Sequence, residues 1–212
     1  MTKLATRLVM VFALLTAGFT QAAQDNPKVV LKTEMGDILV ELFPKAAPVS
    51  VDNFVKLVND YHYDGLIFHR VISGFMIQAG GFTFDFSPRE SSRGSIVNES
   101  SNGLKNKRGT LAMARMNDPD SASAQFFINH KSNGFLNPKG DNKGYAVFGA
   151  VVAGMNVVDA IAAVETQTLG YYADVPVKPI RILSARLVNP ESWTPLPEPA
   201  PAPVIEKPVP IR

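Results

Sequence analysis

From Val29 to Val188 the chain is written in largely apolar runs five to nine residues long, separated by glycine- and proline-rich turns, and this rhythm constrains the fold more than any other feature. Val29–Met35 and Ile38–Phe43 flank a Gly36-Asp37 turn, with Ile38, Val40 and Leu42 alternating onto one face. Leu66–Val71 and Phe75–Gly80 flank Ser73-Gly74, and Thr110–Arg115, Gln125–Asn129, Tyr145–Gly149 and Ile180–Val188 complete eight strand candidates. Only two stretches carry helical spacing. One runs to about Asn59 behind a cap at Ser50 or Asp52, with Val51, Phe54, Val55 and Val58 inward. The other runs from Gly154 to Val164, with Met155, Val158, Ile161 and Ala162 inward. Strands that do not alternate with helices exclude a parallel βαβ sheet. The reading is all-β: a closed eight-stranded antiparallel β-barrel, closed because closure removes edge strands, with the two α-helices over its open ends.

The two ends stand outside this pattern. Residues 1–23 read as a signal peptide: Lys3 and Arg7 precede the apolar run Leu8–Phe19, and Ala22-Ala23 offers a cleavage site. The run falls short of the roughly 20 residues of a membrane span, so the expectation is export by a cleaved signal, to a periplasm or beyond, with no membrane insertion after processing. Without Lys3 and Arg7 the chain carries 19 basic and 19 acidic residues, a balance that gives no support to a nucleic-acid partner. Eight of the 16 prolines fall in residues 189–212, which read as an extended, partly polyproline tail beside a domain of residues 27–188. There are no cysteines, so disulfides and thiolate chemistry are excluded. A monomer is expected.

The stretch Phe68-His-Arg-Val-Ile-Ser-Gly-Phe-Met-Ile-Gln-Ala-Gly-Gly81 sets an arginine, a glutamine and large apolar side chains around one turn. Alone it would pass for a hairpin with a salt-bridging arginine. Taken with Leu111–Arg115, Ala124–Ile128, Phe135-Leu136 and Ala146–Gly149, in that order, it resembles the cyclophilin family of peptidyl-prolyl cis-trans isomerases from about Val29 to Val188, its bacterial periplasmic branch most closely. The resemblance implies a helix-capped eight-stranded barrel and an enzyme that speeds rotation about X-Pro bonds in exported proteins and assists their folding. It implies a catalytic role for Arg70, supported by Gln78. It implies peptide binding by Phe75, Met76, Ala114, Arg115, Gln125, Phe127, Phe135, Leu136 and Tyr145. The implied partners are unfolded or partly folded polypeptides containing proline.

Three positions depart from the family pattern. Arg115 stands where asparagine is common, Tyr145 where histidine is common, and Phe135 where cyclosporin-sensitive members carry tryptophan. Loss of that indole N–H implies weak cyclosporin binding. None of the three touches Arg70. A proline-binding module without catalysis would be favoured by loss of the arginine, which is intact.

The implied reaction makes and breaks no covalent bond, so no cofactor and no metal is expected. His62, His69 and His130 have no metal-ligand spacing, and His69 reads as a structural residue. No nucleophile elbow and no phosphate loop occur, and Gly80-Gly81 and the other glycines read as turn residues.

Overall fold

The computed structural model describes residues 25–197. The signal-peptide reading, and the tail reading beyond residue 197, fall outside them. Ten strands and two α-helices follow in the order β1 (Lys28–Thr33), β2 (Gly36–Leu42), α1 (Pro48–Asn59), β3 (Leu66–Ile72), β4 (Met76–Thr83), β5 (Thr110–Met113), β6 (Phe126–Asn129), β7 (Val147–Ala153), α2 (Met155–Ala162), β8 (Thr166–Leu169), β9 (Tyr172–Pro176) and β10 (Ile182–Leu187). Eight of the strands form one antiparallel sheet in the order β10-β1-β2-β7-β5-β6-β4-β3, and β8 and β9 form a separate hairpin.

The expected closed barrel is corrected to a nearly closed sheet. Its edge strands β3 and β10 meet at an unsealed seam, where the Gly65 N–H donates to the Ile182 carbonyl (2.8 Å), the Phe68 N–H to the Ile180 carbonyl (3.0 Å), and Ile67 bridges Arg181. Side chains hold the seam where the ladder lapses: the Asp64 carboxylate accepts the Ala185 N–H (3.0 Å) and pairs with the Arg186 guanidinium (2.7 Å).

Alternation places Ile38, Val40, Leu42, Leu111, Phe126 and Ile128 inside the curved sheet, all fully buried. α1 covers one opening and drives Phe54 into the interior, where its ring lies 5.0 Å from Tyr63, 5.2 Å from Phe148 and 5.4 Å from Phe126. The buried Tyr63 hydroxyl donates to the Ala124 carbonyl (3.0 Å), and burial pushes its pKa up.

α1 begins earlier than the Ser50 or Asp52 cap implies. It starts at Pro48, and its open N–H groups at Val49 (3.0 Å) and Ser50 (2.8 Å) donate to the Glu99 carboxylate from a distant loop. Asp52 instead pairs with Lys56 (3.0 Å) and accepts the Leu196 N–H (2.8 Å). The segment after β10 therefore lies along α1, with Trp193 half-buried against the core.

Candidate active site

The strands that enclose the core carry a second row of side chains on their outer face. Read across the ladder, Val147 of β7 stands opposite Ala112 of β5, Ala112 opposite Phe127 of β6, Phe127 opposite Gln78 of β4, and Gln78 opposite Arg70 of β3. A row this long, apolar at one end and cationic at the other, is made by register.

Arg70 joins the row through a bulge. Phe68 pairs with Ala79 and Arg70 with Gln78, so β3 advances two residues while β4 advances one. The extra residue keeps Phe68 and Val71 in the core and turns Arg70 outward, the usual effect of a bulge beside a site. A larger bulge lies opposite, where Leu66 pairs with Thr83, and it holds Gly80 and Gly81. These two are strand residues, which corrects their reading as turn residues. A Cβ on Gly80, whose φ is +96°, would sit 2.7 Å from the Ala124 carbonyl, and one on Gly81 would sit 2.5 Å from the Gln125 amide. The bare backbone gives Gln125 its room.

The row floors a cavity of about 570 Å³. Phe75, Met76, Phe127, Leu136 and Tyr145 form an apolar end. Phe127 meets Tyr145 edge-on at 5.7 Å, and Met76, Phe127 and Leu136 belong to one small buried cluster. Arg70, Gln78, Gln125, Ala114 and Arg115 line the remainder of the expected set, so the structure gathers these ten residues around one space. Phe135 is the exception: it is 72% exposed and stacks on Phe75 at the rim, 5.5 Å between centroids.

The polar contacts are specific. The Gln78 amide donates to the Gln125 side-chain carbonyl (2.9 Å). The Arg70 Nε lies 3.5 Å from the Asp174 carboxylate. The Arg115 guanidinium lies over the Tyr145 ring, 4.7 Å from its centroid, and bonds to backbone carbonyls including Met116 (2.8 Å). Beneath the apolar end, Asn133 donates to the Phe75 carbonyl (2.9 Å) and to Asn129 (2.7 Å), while Asn106 donates to the Leu136 and Tyr145 carbonyls (both 3.3 Å). These buried amides fix the loops that present the aromatic rings.

Sequence reasoning missed one wall of the cavity. Tyr171, Tyr172 and Ala173 come from the β8–β9 hairpin, and Phe82 and His69 lie near them. Tyr172 closes an aromatic group with Phe82 (5.4 Å) and Phe86 (4.9 Å). The only written signal is the Gly170 turn followed by two tyrosines. Burial lowers the His69 pKa to about 4, against opposing contacts with the Ile67 backbone and Gln125, so the ring is neutral at pH 7. Among the described residues no cluster of three or more potential metal ligands occurs.

The sequence matches the family described as "Cyclophilin type peptidyl-prolyl cis-trans isomerase/CLD" over residues 28–187. It is 50% identical over 162 residues to a peptidyl-prolyl cis-trans isomerase of Acinetobacter baylyi, covering 76% of this chain and 86% of that one. It is 49% identical over 168 residues to peptidyl-prolyl cis-trans isomerase A of Dickeya dadantii, covering 79% and 88%. The fold is similar to that of a Cryptosporidium parvum cyclophilin-type isomerase crystallised in the presence of the dipeptide Ala-Pro, with a TM-score of 0.63 and 26% identity over 76% of this chain and 98% of that one. By family match, close relatives and fold alike, the chain belongs to the cyclophilin-type peptidyl-prolyl cis-trans isomerases and is an enzyme of that class.

Proposed function

We propose that the enzyme isomerises X-Pro bonds of exported polypeptides in the periplasm, with Arg70 as the group that stabilises the twisted amide. The X-Pro bond resists rotation because its amide is conjugated; the barrier of a peptide bond is about 18–20 kcal/mol, and uncatalysed exchange takes tens of seconds or longer. Twisting breaks conjugation and leaves a lone pair on the prolyl nitrogen. A donor held at that nitrogen binds the twisted state better than either planar state, and this difference is the catalysis.

Arg70 supplies a planar cationic donor with a forked set of N–H groups. Phe75, Met76, Phe127, Leu136 and Tyr145 seat the prolyl ring. Gln125 and the main chain at Ala114–Arg115 hold the residues before it, so the ring stays fixed while the preceding carbonyl turns. Phe135 carries no indole N–H, and its place at the rim accords with weak cyclosporin binding. Export rests on the basic-then-apolar N-terminal segment of residues 1–23.

The observation that carries the reading is the row from Val147 to Arg70, which sets a guanidinium beside an apolar seat on one rigid sheet. The test is the cis-to-trans rate of an Ala-Pro peptide with the mature protein and with Arg70→Ala. A fall of about 100-fold or more in kcat/KM, with circular dichroism unchanged, is expected from losing a transition-state donor. A folded variant with the unaltered rate would exclude Arg70. Fractionation of cells producing the full chain tests the compartment, and a protein retained in the cytoplasm would overturn the client class.

A further inference from the structure

The register of β3 explains where Arg70 sits, but not where its guanidinium points. The side chain is 44% exposed and has several rotatable bonds, so an outward position leaves the head group many directions. Among the described residues one charged partner constrains it: the Asp174 carboxylate, 3.5 Å from Nε and 37% exposed. Asp174 does not belong to the eight-stranded sheet. It comes from β9, whose strand partner is β8, and the residues just before it, Tyr172 and Ala173, line the same cavity. Its backbone takes φ +63°, a left-handed conformation that among non-glycine residues Asp and Asn adopt most readily. Val175, the next residue, is buried and anchors the strand.

We propose that Asp174 is a positioning residue for the isomerisation, holding the Nε edge of Arg70 so that the two terminal nitrogens face the cavity. The proposal rests on the reading of Arg70 as the donor to the prolyl nitrogen. A guanidinium is planar, so engaging one edge fixes the plane and the direction of the remaining donors. The reaction needs an aimed donor and little else. Loss of aim therefore lowers kcat, while the apolar seat, which governs peptide binding, keeps KM. The pair is partly solvated, and such pairs are individually weak, so the effect is about three- to tenfold.

The experiment measures kcat and KM on an Ala-Pro peptide for wild type, Asp174→Asn, Asp174→Gly, Arg70→Ala and the double variant Arg70→Ala/Asp174→Asn. Enzyme is raised until the slowest variant exceeds the uncatalysed rate. Asp174→Asn keeps shape and backbone preference without the charge, and Asp174→Gly removes the carboxylate at a φ that glycine accepts freely. Both are expected to lower kcat about fivefold with KM nearly unchanged. In the Arg70→Ala background the Asn substitution is expected to change nothing further. Wild-type kcat in both Asp174 variants, with Arg70→Ala inactive, would overturn the proposal alone. An equal loss from Asp174→Asn with and without Arg70 would also overturn it, because the effect would then bypass the arginine. An Arg70→Ala protein with wild-type rate would overturn the reading of Arg70, and the proposal with it.

Discussion

Phe126 and Phe127 are neighbours in β6, are 0% and 4% exposed, and do opposite work. Phe126 points into the sheet, where Phe54 and Tyr63 meet it edge-on, each 5.4 Å away. Phe127 points outward onto the small cluster beneath the cavity. The same division runs through Ile77 and Met76 of β4 and through Leu111 and Ala112 of β5, one residue in each pair belonging to the main core and the other to the outer cluster. A strand has two faces, and here both are apolar. The inner face is filled by the protein; the outer is left concave for a guest. Burial alone does not separate them, whereas the partner across each face does.

Phe126→Ala breaks the comparison hardest. It opens an enclosed void and is expected to cost about 3–5 kcal/mol of stability in urea unfolding, with the rate per folded molecule nearly unchanged. Phe127→Ala should invert that pattern: less than about 2 kcal/mol of stability, since the lost ring borders open space, and a fall in kcat/KM of about tenfold or more. Equal stability losses from the two variants would dissolve the distinction.

His69, in the bulge between the two faces, gives a pH-dependent test. Its folded pKa, about 4, lies below its ordinary value of 6.5, so the unfolded chain binds the proton more readily. The contribution is fully present above about pH 6.5, is lost as pH falls toward 4, and amounts to about 3 kcal/mol at most. His69→Gln should flatten most of that slope. A smaller slope should remain from His62, whose pKa burial also lowers. The smallest change is at the rim: Phe135→Trp restores an indole N–H at an exposed position and should tighten cyclosporin binding about tenfold by calorimetry, the scale of one added hydrogen bond. No gain would mean that the rim does not meet the drug.

What could be read from the sequence follows the same two faces. Ile38, Val40 and Leu42 announce a half-buried strand by alternation, and all three are buried as that pattern requires. The outer row has no such signature, because Met76 and Phe127 only lengthen apolar runs. The family resemblance alone points to them: ten of the residues it implies line the cavity, and the eleventh, Phe135, lies at its edge. The β8–β9 hairpin was invisible for a physical reason. Thr166–Leu169 is exposed throughout and packs no face, so it carries no period. The start of α1 is not legible in the sequence because Glu99, which satisfies its first N–H groups, lies far along the chain from the helix. The unsealed seam was equally hidden, since a closed and a nearly closed sheet share one pattern of alternation.

The pairing of β1 with β10 has a mechanical consequence. Val29 lies opposite Leu187, and the Val188 N–H donates to the Lys28 carbonyl (2.9 Å), so β1 begins and β10 ends side by side at one end of a single ladder. Once the Leu196–Asp52 contact and Trp193 have been freed from the core side, tension between those strand ends loads the outermost rung, and the hydrogen bonds break in succession instead of sharing the force. Once β10 is peeled from β1, the few bonds of the seam and the Asp64 latch are what tie it to β3. A motor gripping the segment beyond Leu187 would strip it from α1 and then draw β10 out like the pull of a zip, uncovering the inner apolar face, whereas the rows through β4, β5 and β6 would yield last.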